Sequence, residues 1–507
     1  MPAPNIPWSN ALRVLAEQYQ DRDAIRDREG NSLTFRELSA FAHGLAERLR
    51  SMGLVFGTPV GTFLPNSLQA IWGMYGCKIS GMAEVAMSSV YTDEEVMWSV
   101  KSSGLKYVIS VGKWAERCRN LGLDVVDCDT IMPTELEAQL PAVPGDIWGR
   151  LLFTSGTTSQ PKCLVYSHAK RFLGETLQKA TLPHHPKPGE KLLVMTPFVH
   201  GASIVTQAWL DGGGEVIIHD GVHLENVEAL LSAQGLTVMF APPTVLAKIL
   251  SVHRGQNWAG LKAIMTGTQP LSPSLYARVK SVFGPITRVT YGKTECINPI
   301  TVLRANQLEK AFAAGYEGSC VGWPATGVEV SIGPPVQHAE GDENEVWLRA
   351  QHMSDGYVVA GQLRQHEPDG WHATGDLGAW DEQGRLWLTG RLADVIKTGG
   401  YRVHPDEVEA NLDPSAYAQA VVICSLPSDY WGEVITAVAE NPQMGWEDRV
   451  RLQLTGLSKH KQPRLFVAVP SLPRNPQGKI SRRQLRDRIL ERYRLIDGRY
   501  PSLTVEN

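Results

Sequence analysis

The spacing of apolar and polar positions changes along this chain, and the changes divide it into segments. Residues 33–50, LTFRELSAFAHGLAERLR, begin with a short extended stretch and then carry apolar side chains at helical spacing. VGTFLPNS, residues 60–67, reads as a buried strand ending in a turn. Apolar runs rich in β-branched residues recur at LTVMFAPP (236–243), LKAIMTG (261–267) and ITRVTYG (286–292), separated by helical stretches. Such alternation predicts an α/β fold with parallel sheets covered by helices. From about residue 317 the texture shortens to strands and turns, GSCVGWPATGVEVSIGPP, NEVWLRA and GRLWLTG, which predicts a small β subdomain. A boundary is expected near Gly390, leaving a large domain of residues 1–390 and a small α+β domain of residues 391–507. In the latter, HPDEVEANL begins a helix with acidic residues in its first turn, AQAVVICSLP is a strand, and RRQLRDRILERYR is a closing basic helix.

Composition narrows the function classes. A chain of 507 residues exceeds what one core organises, and 43% hydrophobic with 20% charged residues is ordinary soluble globular composition, which excludes disordered and collagen-like readings. Forty-nine basic against 53 acidic residues give a net charge of -4, so no global field attracts nucleic acid or an anionic membrane. No window reaches the ~18 apolar residues of a membrane span, and the start carries no signal-peptide pattern. A cytoplasmic location is therefore the expectation. Seven cysteines, odd in number and without a CxxC pair, are expected to be reduced, mostly buried thiols rather than disulfides or zinc ligands.

The segment that points to chemistry is LLFTSGTTSQPKCLVYSH, residues 151–168, read as a strand, a hydroxyl-rich turn and a helix. Small residues around Gly156 let backbone N–H groups converge on an anion, Thr154, Ser155, Thr157 and Thr158 add hydroxyls, and Lys162 adds a mobile positive charge. No Walker A loop is present, because GKT at 292–294 has Thr287 where the first glycine belongs.

With that loop the chain resembles the adenylate-forming family of acyl-CoA synthetases, luciferases and nonribosomal adenylation domains, whose phosphate loop reads close to TSGTTGxPKG. The similarity continues in order through PFVHG (197–201), APPT (241–244), TGTQPLS (266–272), YGKTE (291–295), TGD (374–376), GRLADVIKTGGYRVHPDEVE (390–409) and PRNPQGKISRRQLR (473–486). The resemblance implies a large N-terminal domain of mixed parallel sheets with flanking helices, a mobile C-terminal lid, and use of ATP, Mg2+ and coenzyme A. It further implies that Tyr291 stacks on the base, with Gln269, Pro270 and Gly292 nearby, that Thr294 bonds a phosphate oxygen, and that Glu295 is the Mg2+ ligand. By the same resemblance Asp376 accepts the ribose hydroxyls, Arg391 contacts phosphate and ribose, and His200 stands beside the acid pocket. Lys479 neutralises charge as carboxylate and α-phosphate meet. Lys397, Gly399 and Gly400 match the segment that the rotated lid presents to the thiol. Lys293, commonly uncharged in the family, is expected to face solvent, the alternative being a contact to a polar group on the acid.

The chain departs from the family at Ser159 and Cys163, where the phosphate loop has glycines, and at Ala393, where the hinge has Asp or Lys. Side chains at 159 and 163 are expected to crowd a pyrophosphate or to demand a different turn, and alanine at 393 to remove a polar residue that the family uses to stabilise its two orientations. The function expected is an AMP-forming acyl-CoA ligase for a hydrophobic or ring-bearing acid. Alternatives are a free-standing adenylation enzyme loading a carrier protein, a ligase performing only the thioester step, and a non-catalytic nucleotide sensor. The partners expected are the acid and CoA, with no nucleic acid and no membrane span, in a monomer or homodimer.

Overall fold

The computed structural model describes residues 3–134, 140–154, 161–199, 201–316, 318–335, 341–359, 362–366, 369–474 and 479–505. Among them a thirteen-stranded and an eight-stranded sheet carry the first four-fifths of the chain, and a five-stranded sheet carries most of the rest.

The larger sheet has a parallel centre, in which Val238–Phe240, Ala263–Gly267 and Thr287–Lys293 lie side by side, as their apolar runs predict. Beyond Thr287–Lys293 pairing turns antiparallel, and the short strands after residue 317 extend the same sheet: Ser319–Pro324, Leu386–Arg391, His372–Trp380 and Glu345–Ala350. In the smaller sheet Pro59–Leu64, Ala83–Ser88 and Trp148–Phe153 are parallel. Helices fill the space between the sheets. One apolar cluster runs from Val60 and Ile109 of the smaller sheet through Leu45, Ile71 and Trp72 to Leu192 and Val216 of the larger. Helix Phe35–Ser51 starts where its sequence says it should. The Thr34 hydroxyl accepts from the Glu37 N–H and the Glu37 carboxylate accepts from the Thr34 N–H, a capping box worth about 1 kcal/mol.

Ionic groups are also enclosed at this helical layer, and no motif announces them. Arg171, fully buried, pairs with Glu84 at 2.8 Å and Glu175 at 2.9 Å, while Glu175 also takes Lys78 at 3.1 Å. The Gln207 amide donates to Glu175 and Arg150 donates to Ser203, so the network braces helix Gly201–Leu210. Losing one partner from such a network strands a charge, whose cost is several kcal/mol.

The five-stranded sheet is built from residues 396–469 and has an apolar core on each face. Along Ala420–Ser428 the strand period of two sends Val421 and Ile423 to one core and Val422, Cys424 and Leu426 to the other. The expected basic helix is Arg482–Arg492, but it does not close the chain: Tyr493–Ile496 and Ser502–Val505 follow as a hairpin. All seven cysteines are free and buried. Among the described residues no helix is long and apolar enough to cross a membrane.

Candidate active site

The TGD turn lies where regular pairing fails. The ladder to Glu345–Ala350 shifts register between Glu345 and Trp347, so Thr374 and Gly375 stand outside it, with Gly375 at φ +71°. The turn is held from below by the Thr374 hydroxyl on the Val346 carbonyl at 2.6 Å and the Gly375 N–H on Glu345 at 2.8 Å. It delivers Asp376, only 5% exposed, to a set of donors from distant parts of the chain. The Tyr291 hydroxyl donates to Asp376 Oδ2 at 2.5 Å, Lys293 Nζ stands 3.2 Å from the same oxygen, and Arg391 Nε lies 3.1 Å from Oδ1. Burial works against the Asp376 charge, but Lys293, Arg391 and the Tyr291 hydroxyl outweigh it and leave its pKa below the usual carboxylate range. Burial beside this carboxylate lifts the Tyr291 phenol well above 10.

Lys479 joins this cluster from the far end of the chain. Burial, then the neighbouring Arg391 and Lys293, bring its ammonium down to about 8, while Asp376 and Glu295 pull the other way. The expected nucleotide residues Tyr291, Asp376, Arg391 and Lys479 thus share one electrostatic neighbourhood.

The phosphate segment is a hairpin. Trp148–Phe153 pairs antiparallel with Cys163–Ser167, and the helix begins only at His168. The expected strand-turn-helix is therefore corrected: Leu164, Val165 and Tyr166 alternate against Leu152 and the sheet, so the segment after the turn is another strand. Thr154 and Lys162 close the mouth of the loop through Thr154 N–H to the Lys162 carbonyl at 3.0 Å and Lys162 N–H to the Thr154 hydroxyl at 3.2 Å. Ser155, Gly156, Thr157, Thr158 and Ser159, like His200, lie outside the described residues. The expectation that Cys163 crowds pyrophosphate is overturned, because its side chain is 1% exposed and packs into the core with Phe153 and Val358.

Lys162 reaches over the Tyr357 ring at 5.0 Å, and that ring meets His366, which shares a 2.6 Å hydrogen bond with the Ser354 hydroxyl. His372 lies 5.6 Å from His366 between ring centroids, and burial holds its imidazole down to about 4. The half-buried Glu295 carboxylate acts on both histidines and on Lys479. Among the described residues there is no cluster of three or more potential metal ligands. One hard carboxylate is nevertheless a donor set that fits magnesium, which takes its other ligands from substrate phosphates and water.

The Thr294 carbonyl accepts from Tyr166 at 2.5 Å, which fixes the end of YGKTE, and Gly292 is exposed beside it. In TGTQPLS, Gln269 is half-buried, Pro270 is exposed, and Thr268 sits at φ +68°, a strained conformation for a β-branched residue. Lys397, Gly399 and Gly400 do not enter the Asp376 cluster. They form the hairpin Ile396–Thr398 and Tyr401–Val403, where Gly399 donates to the Trp431 carbonyl at 2.8 Å and a Cβ on it would stand 3.0 Å from the indole. Ala393 is exposed on the short turn Leu392–Asp394.

The AMP-binding enzyme family profile matches residues 12–358. The chain belongs to that family. It is 24% identical over 467 residues to 2-succinylbenzoate–CoA ligase of Listeria monocytogenes, covering 91% of this chain and 95% of the relative. It is also 24% identical over 559 residues to long-chain-fatty-acid–CoA ligase of Bacillus subtilis, covering 98% and 97%. Among solved structures, the o-succinylbenzoate CoA synthetase of Bacillus subtilis in complex with its acyl-adenylate intermediate superposes with a TM-score of 0.81 at 22% identity, covering 99% of both chains. The anthranilate CoA ligase AuaEII in complex with anthranoyl-AMP gives a TM-score of 0.82 at 20% identity, covering 96% of this chain and 98% of that one. The mixed α/β architecture with a small C-terminal unit is shared with these structures.

In this AMP-binding enzyme Lys293 departs furthest from its expected place. Its side chain does not face solvent: it is 14% exposed, and its ammonium donates to the Thr374 carbonyl at 2.6 Å. No motif points to the histidines at 366 and 372 or to the ring of Tyr357. They lie between recognised segments, and only the fold brings them beside Glu295.

Proposed function

We propose that this AMP-binding enzyme is an AMP-forming acyl-CoA ligase acting on a hydrophobic or ring-bearing carboxylic acid. The observation that carries the reading is the arrival of Lys479 beside Arg391 and Asp376, since a mobile ammonium at the nucleotide carboxylate is what the meeting of two anions needs. In the first half-reaction an oxygen of the substrate carboxylate attacks the α-phosphorus of ATP and pyrophosphate leaves. Lys479 and Arg391 offset the charge gathering at that phosphorus, Asp376 holds the ribose, Lys162 and the Thr154 hydroxyl hold the departing phosphates, and Glu295 would hold Mg2+. The metal, when bound, supplies further neutralisation of phosphate charge. In the second half-reaction the thiol sulfur attacks the acyl carbonyl, AMP leaves with the bonding pair, and the thiol proton passes to solvent. Lys397, Gly399 and Gly400 belong to a unit beginning near Gly390 that turns to bring their hairpin to the thiol. The buried apolar cluster of Val199, Ile204, Ile297 and Ala86 adjoins the PFVHG and YGKTE segments in sequence and suits a hydrophobic acid, and the buried, unpartnered hydroxyls of Thr206 and Thr266 are suited to one polar group on it.

The test is release of AMP and pyrophosphate across a panel of carboxylic acids, with and without CoA. Acid-dependent pyrophosphate release with CoA-dependent thioester formation is expected. Pyrophosphate exchange without any product on CoA would shift the reading to loading of a carrier protein, and no exchange with any acid would refute adenylation. A thioester-only ligase was suggested by Ser159 and Cys163, and burial of Cys163 removes half of that support.

A further inference from the structure

Lys293 joins the nucleotide cluster although no segment of the family resemblance calls for a cation there. It ends strand Thr287–Lys293, and its ammonium crosses to the Thr374–Gly375–Asp376 turn. Tyr291 and Arg391 each touch one oxygen of the Asp376 carboxylate. Lys293 does something different, because it binds the carboxylate and the backbone of the same turn at once, through Asp376 Oδ2 at 3.2 Å and the Thr374 carbonyl at 2.6 Å.

We propose that Lys293 is a positioning residue for the nucleotide, tying the two ends of the glycine turn so that Asp376 presents its carboxylate in the orientation that takes the ribose hydroxyls. The turn needs such a tie. Gly375 at φ +71° lies outside the ladder to Glu345–Ala350 and has open space where a Cβ would stand, and the Thr374 hydroxyl and the Gly375 N–H hold the turn only from its Val346 and Glu345 side. An ammonium that bridges a carbonyl and a carboxylate restrains both, and burial keeps competing water away from the contacts. Its charge has a second effect. The groups facing Lys479 are Arg391, Asp376, Lys293 and Glu295, and those facing Lys293 include Tyr291, Asp376, the Thr374 carbonyl, His372 and Lys479. Lys293 therefore helps set the proton affinity of Lys479 as well as the aim of Asp376.

The role rests on the ligase reading only for turnover. AMP binding to the full-length protein, measured by calorimetry without acid or CoA, tests the positioning itself. Lys293→Met keeps chain length and removes the charge, while Lys293→Arg keeps charge and reach. Lys293→Met is expected to weaken AMP binding about tenfold, the scale of a charge-assisted hydrogen bond. It should raise KM for ATP by a similar factor with a smaller change in kcat, and move the alkaline limb of kcat/KM to higher pH, because one fewer cation beside Lys479 favours its protonated form. Lys293→Arg should restore most of each. The role is refuted if Lys293→Met binds AMP within twofold of the parent, or if Lys293→Arg recovers none of the lost affinity. A parent protein that binds AMP but supports no pyrophosphate exchange would sink the ligase reading and leave Lys293 to be judged by the same AMP titrations.

Discussion

Replacing Lys479 by Met should separate the two half-reactions, and the structure sets the size of the effect. In the free enzyme Lys479 is half-buried, and desolvation with Arg391 and Lys293 as neighbours brings its ammonium from 10.5 to about 8. A fall of that size means about 3 kcal/mol spent on keeping the lysine charged, at 1.36 kcal/mol per unit. When substrate carboxylate and phosphates arrive, the same low-dielectric site turns the cation from a cost into an attraction, and the attraction grows as charge develops at phosphorus. Removing it should slow adenylation by at least about two orders of magnitude, the rate equivalent of ~3 kcal/mol. Thioester formation from chemically supplied acyl-adenylate should stay within about threefold, because that step forms no new phosphate charge. Pyrophosphate exchange reports the first step and CoA consumption from adenylate the second. The sign with pH follows from the same lysine. Its free-enzyme pKa is lowered, so kcat/KM should fall as pH rises through about 8, whereas bound phosphates favour the charged form and place the limb of kcat higher. Equal losses in both half-reactions, or a kcat/KM profile flat through the alkaline range, would refute this account.

Arg482 holds Asp394 at 2.9 Å, Glu409 at 2.8 Å and Asp406 in the C-terminal unit. Arg482→Met should therefore destabilise that unit by about 3–5 kcal/mol in denaturant unfolding, and an unchanged midpoint would show the carboxylates are not strained by losing it. Thr268→Gly relieves a residue at φ +68° and should raise stability by about 1 kcal/mol, read as an increase in Tm; a fall would mean the threonine contacts outweigh the strain. Cys163→Gly removes a core side chain from strand Cys163–Ser167, so it should lower Tm without accelerating pyrophosphate exchange. Faster exchange would restore the idea that position 163 obstructs the phosphates.

What the sequence made legible depended on the range of the interaction. The parallel strands at 238–240, 263–267 and 287–293 are visible because burial on both faces demands continuous apolar runs. The helix Phe35–Ser51 is visible because its buried apolar side chains recur at helical spacing. The strand Cys163–Ser167 is not legible locally, because five residues of mixed apolar and aromatic character carry little period, and only the antiparallel partner Trp148–Phe153 decides between helix and strand. The buried ions Arg150, Arg171, Glu84 and Glu175 have no local signature at all.

The candidate site divides along the same line. Tyr291, Asp376, Arg391 and Lys479 were found because each sits in a segment whose local order resembles a family, and the structure draws them together. Lys293 lies inside one of those segments, yet its place is not legible there. A lysine is solvent-facing by default, since burying an unpaired ammonium is costly, and its compensating partners lie 81 and 83 residues away, across a turn whose irregular pairing no propensity describes. Motif order can therefore name the groups expected to meet a substrate. It does not name the groups that aim them, because aiming is done by contacts between segments, and for Asp376 one such contact comes from a residue where the family commonly carries no charge.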